Sequence, residues 1–273
     1  MKILIIGVSG FIGNSIYKNL IKHHEVFGIS RSLLDLKNCF KVDLYNLEEL
    51  DLFFNKYDFD IIINLASRMA NKNNLNDFSL FEDNLLMSKN LINVLQKKEN
   101  IHLINFSSSA VYPNVSGIFN EDDSIDPSVN GDCLYGLSKF NNEMLFSYFL
   151  KKLSILNLRV GYVHGSGMNE SRIHKVFENE LKEKNKITIW GNGERCFPQI
   201  SIEYLNSILL NIIENHITGT SNLAEENISL SDLAKNYIKL YGNNNSEIIL
   251  NTKYKNNNAF KMRLDNLHNN LKK

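Results

Sequence analysis

Short uninterrupted apolar runs alternate along the chain with stretches in which apolar residues recur at helical spacing. Lys2 to Val8 is an unbroken apolar run, and Phe11 to Lys22 carries its apolar residues three and four apart. The alternation continues with a strand at Glu25 to Ser30, a helix at Leu47 to Asn55, a strand at Asp60 to Asn64, a helix at Leu80 to Gln96 and a strand at Ile101 to Ser107. After a polar loop, Asn114 to Asp132, come a helix at Tyr135 to Lys151 and a strand at Ser154 to Val160. Apolar strands separated by helices predict a parallel sheet covered on both faces, so the expected fold is α/β, doubly wound, of the Rossmann type. Beyond Gly161 the pattern loosens into a helix near Ser171 to Lys184, a strand at Ile187 to Trp190, a turn at Gly191 to Gly193 and a helix at Glu203 to Glu214. Residues 1–165 are therefore expected to form the main domain and 166–273 a small lobe interleaved with it. Asparagine-rich turns are expected at Gly242 to Ser246 and Asn256 to Asn258, and a frayed end at Leu267 to Lys273.

Composition narrows the function classes. Apolar residues at 43% and charged residues at 22% can build a sizeable core. The 30 basic residues match the 30 acidic ones and are scattered, so the electrostatic footprint of a nucleic-acid binder is missing and no nucleic-acid partner is expected. Cys39, Cys133 and Cys196 form no C-x-x-C pair, and the histidines, His23 and His24 included, have no ligand-like spacing. Neither a disulfide framework nor a metal site is expected, which suits a reduced, cytoplasmic compartment. The apolar run Ile3 to Ile6 is too short for a signal h-region or a membrane span, so a soluble chain with no membrane association is expected.

The candidate chemistry begins at the first strand-to-helix turn. Gly7, Gly10 and Gly13 stand three apart there. One permits the turn, one lets phosphate approach the backbone and one lets helix pack on strand, while the helix N-terminus faces the pyrophosphate of a dinucleotide. The second strand ends at Ser30-Arg31-Ser32, where an acid would read the ribose of NAD; Arg31 favours a 2′-phosphate, hence NADP over NAD. Asp43, in the strand-like segment Phe40 to Leu44, would lie near the adenine amine. Tyr135 and Lys139 sit one helical turn apart, an ammonium beside a phenol, which lets the phenol exchange protons near neutrality. Ser107-Ser108-Ser109 ends a parallel strand, where sites of doubly wound sheets lie, and a hydroxyl there can hold a substrate carbonyl.

With these elements the chain resembles the extended short-chain dehydrogenase/reductase family, the NAD(P)-dependent sugar-nucleotide epimerases, dehydratases and reductases. The resemblance implies catalytic roles for Ser108, Tyr135 and Lys139, with Glu143 completing the helix motif. It implies dinucleotide contacts at Gly7, Ser9, Gly10, Phe11, Ile12, Gly13, Arg31, Asp43, Leu44, Leu65, Ala66, Ser67, Tyr135, Lys139 and Val163, and an asparagine behind the site at Asn84. Ile187 to Glu194, Ser221 to Leu223 and Arg263 to Asn266 extend it into the substrate-binding lobe. Two departures stand out: Phe197 occupies the place of an arginine that clamps the nucleotide diphosphate, with Arg195 two residues early, and Glu203-Tyr204 replaces an acidic pair. Candidate substrate contacts are Ser109, Arg172, His174, Arg195 and Arg263.

His174 is a candidate second proton donor for an epimerisation, although a polar residue on the exposed side of a helix is the favoured reading. His164 is read as packing beside the cofactor, and Cys133 as inert without a neighbouring cation. The first expectation is an NADP-dependent reductase, or epimerase-reductase, acting on the 4-keto group of a nucleotide-activated deoxysugar in surface polysaccharide precursor synthesis. The alternative is a nucleotide-sugar 4-epimerase or dehydratase that retains NAD. A reading of another class is a non-catalytic NADP-binding redox regulator. The long helices Leu80 to Gln96 and Tyr135 to Lys151 imply, by the same resemblance, a homodimer, and Phe140, Met144, Leu145, Tyr148 and Phe149 supply apolar surface for it.

Overall fold

The computed structural model describes residues 1–254 and 257–271, the side chains of His268 and Asn270 excepted, so the turn expected at Asn256 and the final Lys272 and Lys273 lie outside the described residues. In chain order the first half runs β1 (Lys2–Ile6), α1 (Phe11–Leu20), β2 (Glu25–Ser30), β3 (Cys39–Lys41), α2 (Leu47–Lys56), β4 (Ile61–Asn64), α3 (Ser79–Leu95) and β5 (His102–Ser108). A 3-10 turn at Ser109–Val111, β6 (Gly117–Phe119), α4 (Cys133–Phe149), β7 (Ser154–Val160) and β8 (Tyr162–His164) follow. The remainder is α5 (Ile173–Lys184), β9 (Lys186–Trp190), β10 (Cys196–Ser201), α6 (Ile202–Glu214), β11 (Gly219–Leu223), β12 (Glu226–Ser229), α7 (Leu230–Tyr241), β13 (Glu247–Asn251), β14 (Phe260–Met262) and α8 (Asp265–Leu271).

Seven parallel strands form the large sheet in the order β11-β7-β5-β4-β1-β2-β3. Its central strands are apolar on both faces because both faces are covered. Ile3 and Ile5 of β1, with Ile61, Ile104 and Leu156, pack under Ile16 and Leu20 of α1 and Leu205 and Leu209 of α6. Leu4, Ile6, Ile62 and Leu103 point the other way, toward Leu50 and Phe54 of α2, Leu91 and Leu95 of α3 and Phe146 of α4. Strand order reverses between β1 and β4, so the crevice beyond their carboxyl ends is where a doubly wound sheet takes its ligand. The doubly wound expectation is borne out.

The small lobe rests on three short sheets, β12-β10-β8, β13-β9 and β14-β6. It has its own core of Phe177, Leu181, Ile187, Ile189, Ile228 and Leu233. Residues beyond 165 also return to the large sheet: β11 pairs in parallel with β7, Gly219 opposite Leu156 and Leu223 opposite Val160, and α6 packs on α1. Two local expectations need correction. The third strand covers Cys39–Lys41 alone, leaving Asp43 in the loop after it, where its carboxylate accepts from the Tyr45 amide. The expected frayed end is instead the helix Asp265–Leu271, anchored by Leu267, which is buried against the sheet core.

Candidate active site

Two elements deliver the active-site side chains, β5 and α4. Ser108 closes β5, and its hydroxyl accepts the Ala110 amide at 3.1 Å, capping the 3-10 turn that follows. Tyr135 and Lys139 occupy successive turns of α4, both buried. The Lys139 Nζ donates to the Phe106 carbonyl at 2.8 Å and lies 5.8 Å from the centroid of the Tyr135 ring. Burial pushes the Tyr135 phenol up to about 12, partly opposed by hydrogen bonding toward Ser108; Asp132 raises it further and Arg172 lowers it. Burial also brings the Lys139 ammonium down to about 8, against the opposing pull of Glu143.

A second layer fixes these groups. Asn84 of α3 accepts from the Arg68 amide and Ser67 Oγ, and donates to the Arg68 carbonyl and Ser138 Oγ, tying the loop after β4 to the catalytic helix. Glu143, one turn beyond Lys139, accepts from Ser107 Oγ and from Arg159 through Nε at 3.2 Å and Nη2 at 2.9 Å. The pair is buried on both sides, and Arg159 also donates to Tyr112 Oη and the Glu121 carbonyl, so four of its five N–H groups are bonded.

The cleft above these residues has a volume of about 880 Å³. Phe11, Ile12, Leu65, Ser67 and Val163 line it, as do Ser109, Arg172, Arg195 and Trp190. The turn before α1 fits a dinucleotide phosphate. A Cβ on Gly13 would collide with the Gly7 carbonyl oxygen and lie 2.9 Å from Val8 Cα, so only glycine lets the helix start this close to the strand. Gly10 provides no side-chain cap, which leaves the first-turn amides of α1 free for an anion. Ser9 is exposed on this turn, and Ala66 packs against Gly7. At the carboxyl end of β2 Arg31 is exposed, its guanidinium 5.9 Å from the Tyr45 ring; Ser30 Oγ is bound to the Ser32 carbonyl, and Leu44 is buried under α3.

Several expected contacts fall elsewhere. His174 is buried, not on an exposed helix side: it stacks on His164 with ring centroids 4.2 Å apart, bonds Tyr237 at 3.1 Å, and burial brings it down to about 4. His164 is engaged in that stack and does not line the cleft; its neighbour Val163 does. Arg263 is exposed away from the cleft, its amide bonded to the Phe119 carbonyl. Three features went unread in the sequence. Asn130 donates to the Ala110 and Tyr112 carbonyls and accepts from the Asn114 amide, clamping the loop before α4. Asp132 and Trp190 line the cleft. An aspartate just ahead of a helix reads as a cap, and a lone asparagine in a polar loop carries no signal at all. Among the described residues no group of side chains could hold a metal ion, and no helix is long and apolar enough to cross a membrane.

A model of the NAD dependent epimerase/dehydratase family matches residues 3–224. Protein CapI of Staphylococcus aureus is 29% identical over 215 residues, 71% of this chain and 63% of CapI. A UDP-glucuronate 4-epimerase of Thermodesulfobacterium geofontis is 26% identical over 215 residues, 71% of this chain and 65% of that protein. The match thus spans just under two thirds of each relative's length. Among solved structures, the UDP-glucuronic acid 4-epimerase of Bacillus cereus in complex with UDP-glucuronic acid and NAD superposes with a TM-score of 0.82 at 20% identity, over 100% of this chain and 93% of that one. A UDP-N-acetylglucosamine 4-epimerase of Methanobrevibacter ruminantium gives 0.82 at 20% identity, over 98% and 91%. These structures share the fold. The named activities are epimerisations, so they back the retained-NAD alternative better than the 4-keto reductase, and they lend no support to NADP.

Proposed function

The chain belongs to the NAD dependent epimerase/dehydratase family, and from that premise we propose that it is a nucleotide-sugar 4-epimerase that retains its dinucleotide through the catalytic cycle. One observation carries the reading: Ser108, Tyr135 and Lys139 line the same cleft as Phe11 and Ile12 at the start of α1. Phe11, Ile12, Leu65, Ser67 and Val163 would hold the dinucleotide, which when bound would supply reversible hydride exchange with the sugar C4. Tyr135 takes the proton of the C4 hydroxyl and gives it back, while Ser108 holds the same oxygen. As placed, Tyr135 is a phenol, pushed up to about 12 by burial; the Lys139 ammonium, 5.8 Å from its ring centre, is the cation that would favour its phenolate. A second reading, the NADP-dependent 4-keto reductase, is favoured by Arg31 and by the lack of a carboxylate at Ser30.

The purified protein, denatured and analysed by mass, would release NAD in near-stoichiometric amount and, before denaturation, convert UDP-glucose or UDP-glucuronic acid to its C4 epimer. NADPH consumption with a 4-keto nucleotide sugar, and no epimer formed, would overturn the epimerase in favour of the reductase. Dinucleotide binding with neither reaction would favour a regulator. We also infer a homodimer through α3 and α4, because Leu86, Met144 and Tyr148 stay 40%, 57% and 67% exposed on their outer sides.

A further inference from the structure

An aspartate at the first position before a helix ordinarily turns its side chain back to accept an amide of the first turn. Asp132 stands at that position of α4 and makes no such bond. Its carboxylate lines the cleft instead, and among the described residues it has no hydrogen-bond or ion-pair partner beyond its own backbone. The backbone that carries it is held from both sides. Asn130, two residues earlier, is locked to the Ala110 and Tyr112 carbonyls at 2.9 and 2.8 Å. On the far side, a Cβ on Gly136 would collide with the Ala110 carbonyl oxygen and lie 3.0 Å from its carbon, so α4 begins pressed against the turn that follows Ser108. The carboxylate thus has a fixed origin one helical turn from the Tyr135 phenol, near enough for its charge to act on that phenol. Burial raises the Asp132 carboxyl above its ordinary range, as expected of a desolvated acceptor awaiting a donor.

We propose that Asp132 is a substrate-contacting residue whose carboxylate accepts a hydrogen bond from the sugar hydroxyl next to the reacting carbon. The inference rests on the 4-epimerase reading for which hydroxyl this is: with Tyr135 at the C4 oxygen, the adjacent ring hydroxyl of a hexose is the one at C3. A preorganised, partly desolvated acceptor discriminates strongly, because a sugar without that hydroxyl leaves the carboxylate unpaired.

The test compares wild type with Asp132→Asn, an isosteric change, on UDP-glucose and on its 3-deoxy counterpart. Asp132→Asn is expected to lose about a hundredfold more in kcat/KM on UDP-glucose than on the 3-deoxy sugar, whose change reads only the lost charge beside Tyr135. Equal losses on both sugars, or no loss on UDP-glucose, would overturn the contact. Calorimetric binding of the same two compounds reads it without turnover: weaker binding of UDP-glucose alone by the variant supports the contact, and unchanged binding overturns it. Wild type that binds UDP-glucose but forms no epimer would defeat the epimerase reading and leave this contact standing. Wild type that binds neither compound would overturn both.

Discussion

Lys139 is 3% exposed, and its ammonium is held by a single carbonyl in a desolvated place. Below pH 8 the folded protein keeps that charge buried, whereas the unfolded chain keeps it in water, so the charge destabilises the fold. Between pH 8 and the ordinary lysine value of 10.5 the unfolded state binds more protons, and stability contributed at this site rises with pH. Lys139→Met is accordingly expected to abolish turnover while raising unfolding free energy at pH 7 by about 1–3 kcal/mol, a gain that shrinks toward pH 10. Denaturant titrations at both pH values check it, and a variant less stable than wild type at pH 7 would contradict it. Tyr135→Phe should lower kcat by at least about a thousandfold with bound dinucleotide unchanged, measured by cofactor release beside turnover. Tyr135 and Lys139 were legible because their relation is local, four residues on one helix. Glu143 was visible in the family resemblance, but its ion pair with Arg159 joins a helix to a strand and no spacing announces it. His174 was misread because an imidazole between Ile173 and Lys175 carries no local mark of burial; the ring of His164 and the hydroxyl of Tyr237, which close over it, come from far along the chain.

At the scale of elements, the turn into α1 is the least forgiving. Gly13→Ala sets a methyl against the Gly7 carbonyl and Val8 Cα, and the helix must back away from the strand that presents the phosphate site. Loss of the retained dinucleotide and a destabilisation of about 1–3 kcal/mol are expected, read by cofactor release and thermal unfolding. The interior histidines set an acid limit. His102, fully buried on β5, and His174 on α5 are each brought down to about 4, chiefly by burial. The unfolded chain takes up these protons from about pH 6.5 downward, so stability is lost as pH falls from 6.5 to 4, by up to about 3 kcal/mol for each histidine. Replacing His102 with Gln should flatten that slope in unfolding measured at pH 6.5, 5 and 4. Long central strands and amphipathic helices of the large layer could be read from the chain, as could α5, β9 and α6 beyond residue 165; the other short strands of the small lobe could not. β10 is the central strand of its sheet yet contains Pro198, which in sequence argues against a central strand, and β6, β8 and β14 span three residues each. Their partners lie far along the chain, so pairing, not propensity, creates them.

For the whole molecule, the inferred dimer would form through the outer sides of α3 and α4. Sedimentation at micromolar concentration is expected to give about twice the chain mass of 31.4 kDa, and the double change Met144→Asp, Tyr148→Asp should return it to a single chain with catalytic groups intact, since Ser108, Tyr135 and Lys139 come from one chain. A monomeric wild type would reject the inferred dimer. Helix length and apolar surplus on α4 were readable in the sequence; that Phe140 and Leu145 are partly buried while Met144 and Tyr148 stay outside needed the packed sheet. The late return of the chain to β11 has a consequence for synthesis. A nascent chain released only through β7 holds six of the seven parallel strands, with the backbone edge of Leu156, Leu158 and Val160 uncovered and no α6 over Ile16 and Leu20. That edge is a template for pairing with another chain until residue 223 arrives. A fragment ending at residue 165 should therefore aggregate where the full chain does not, because the large sheet is completed only by a strand from beyond the expected boundary.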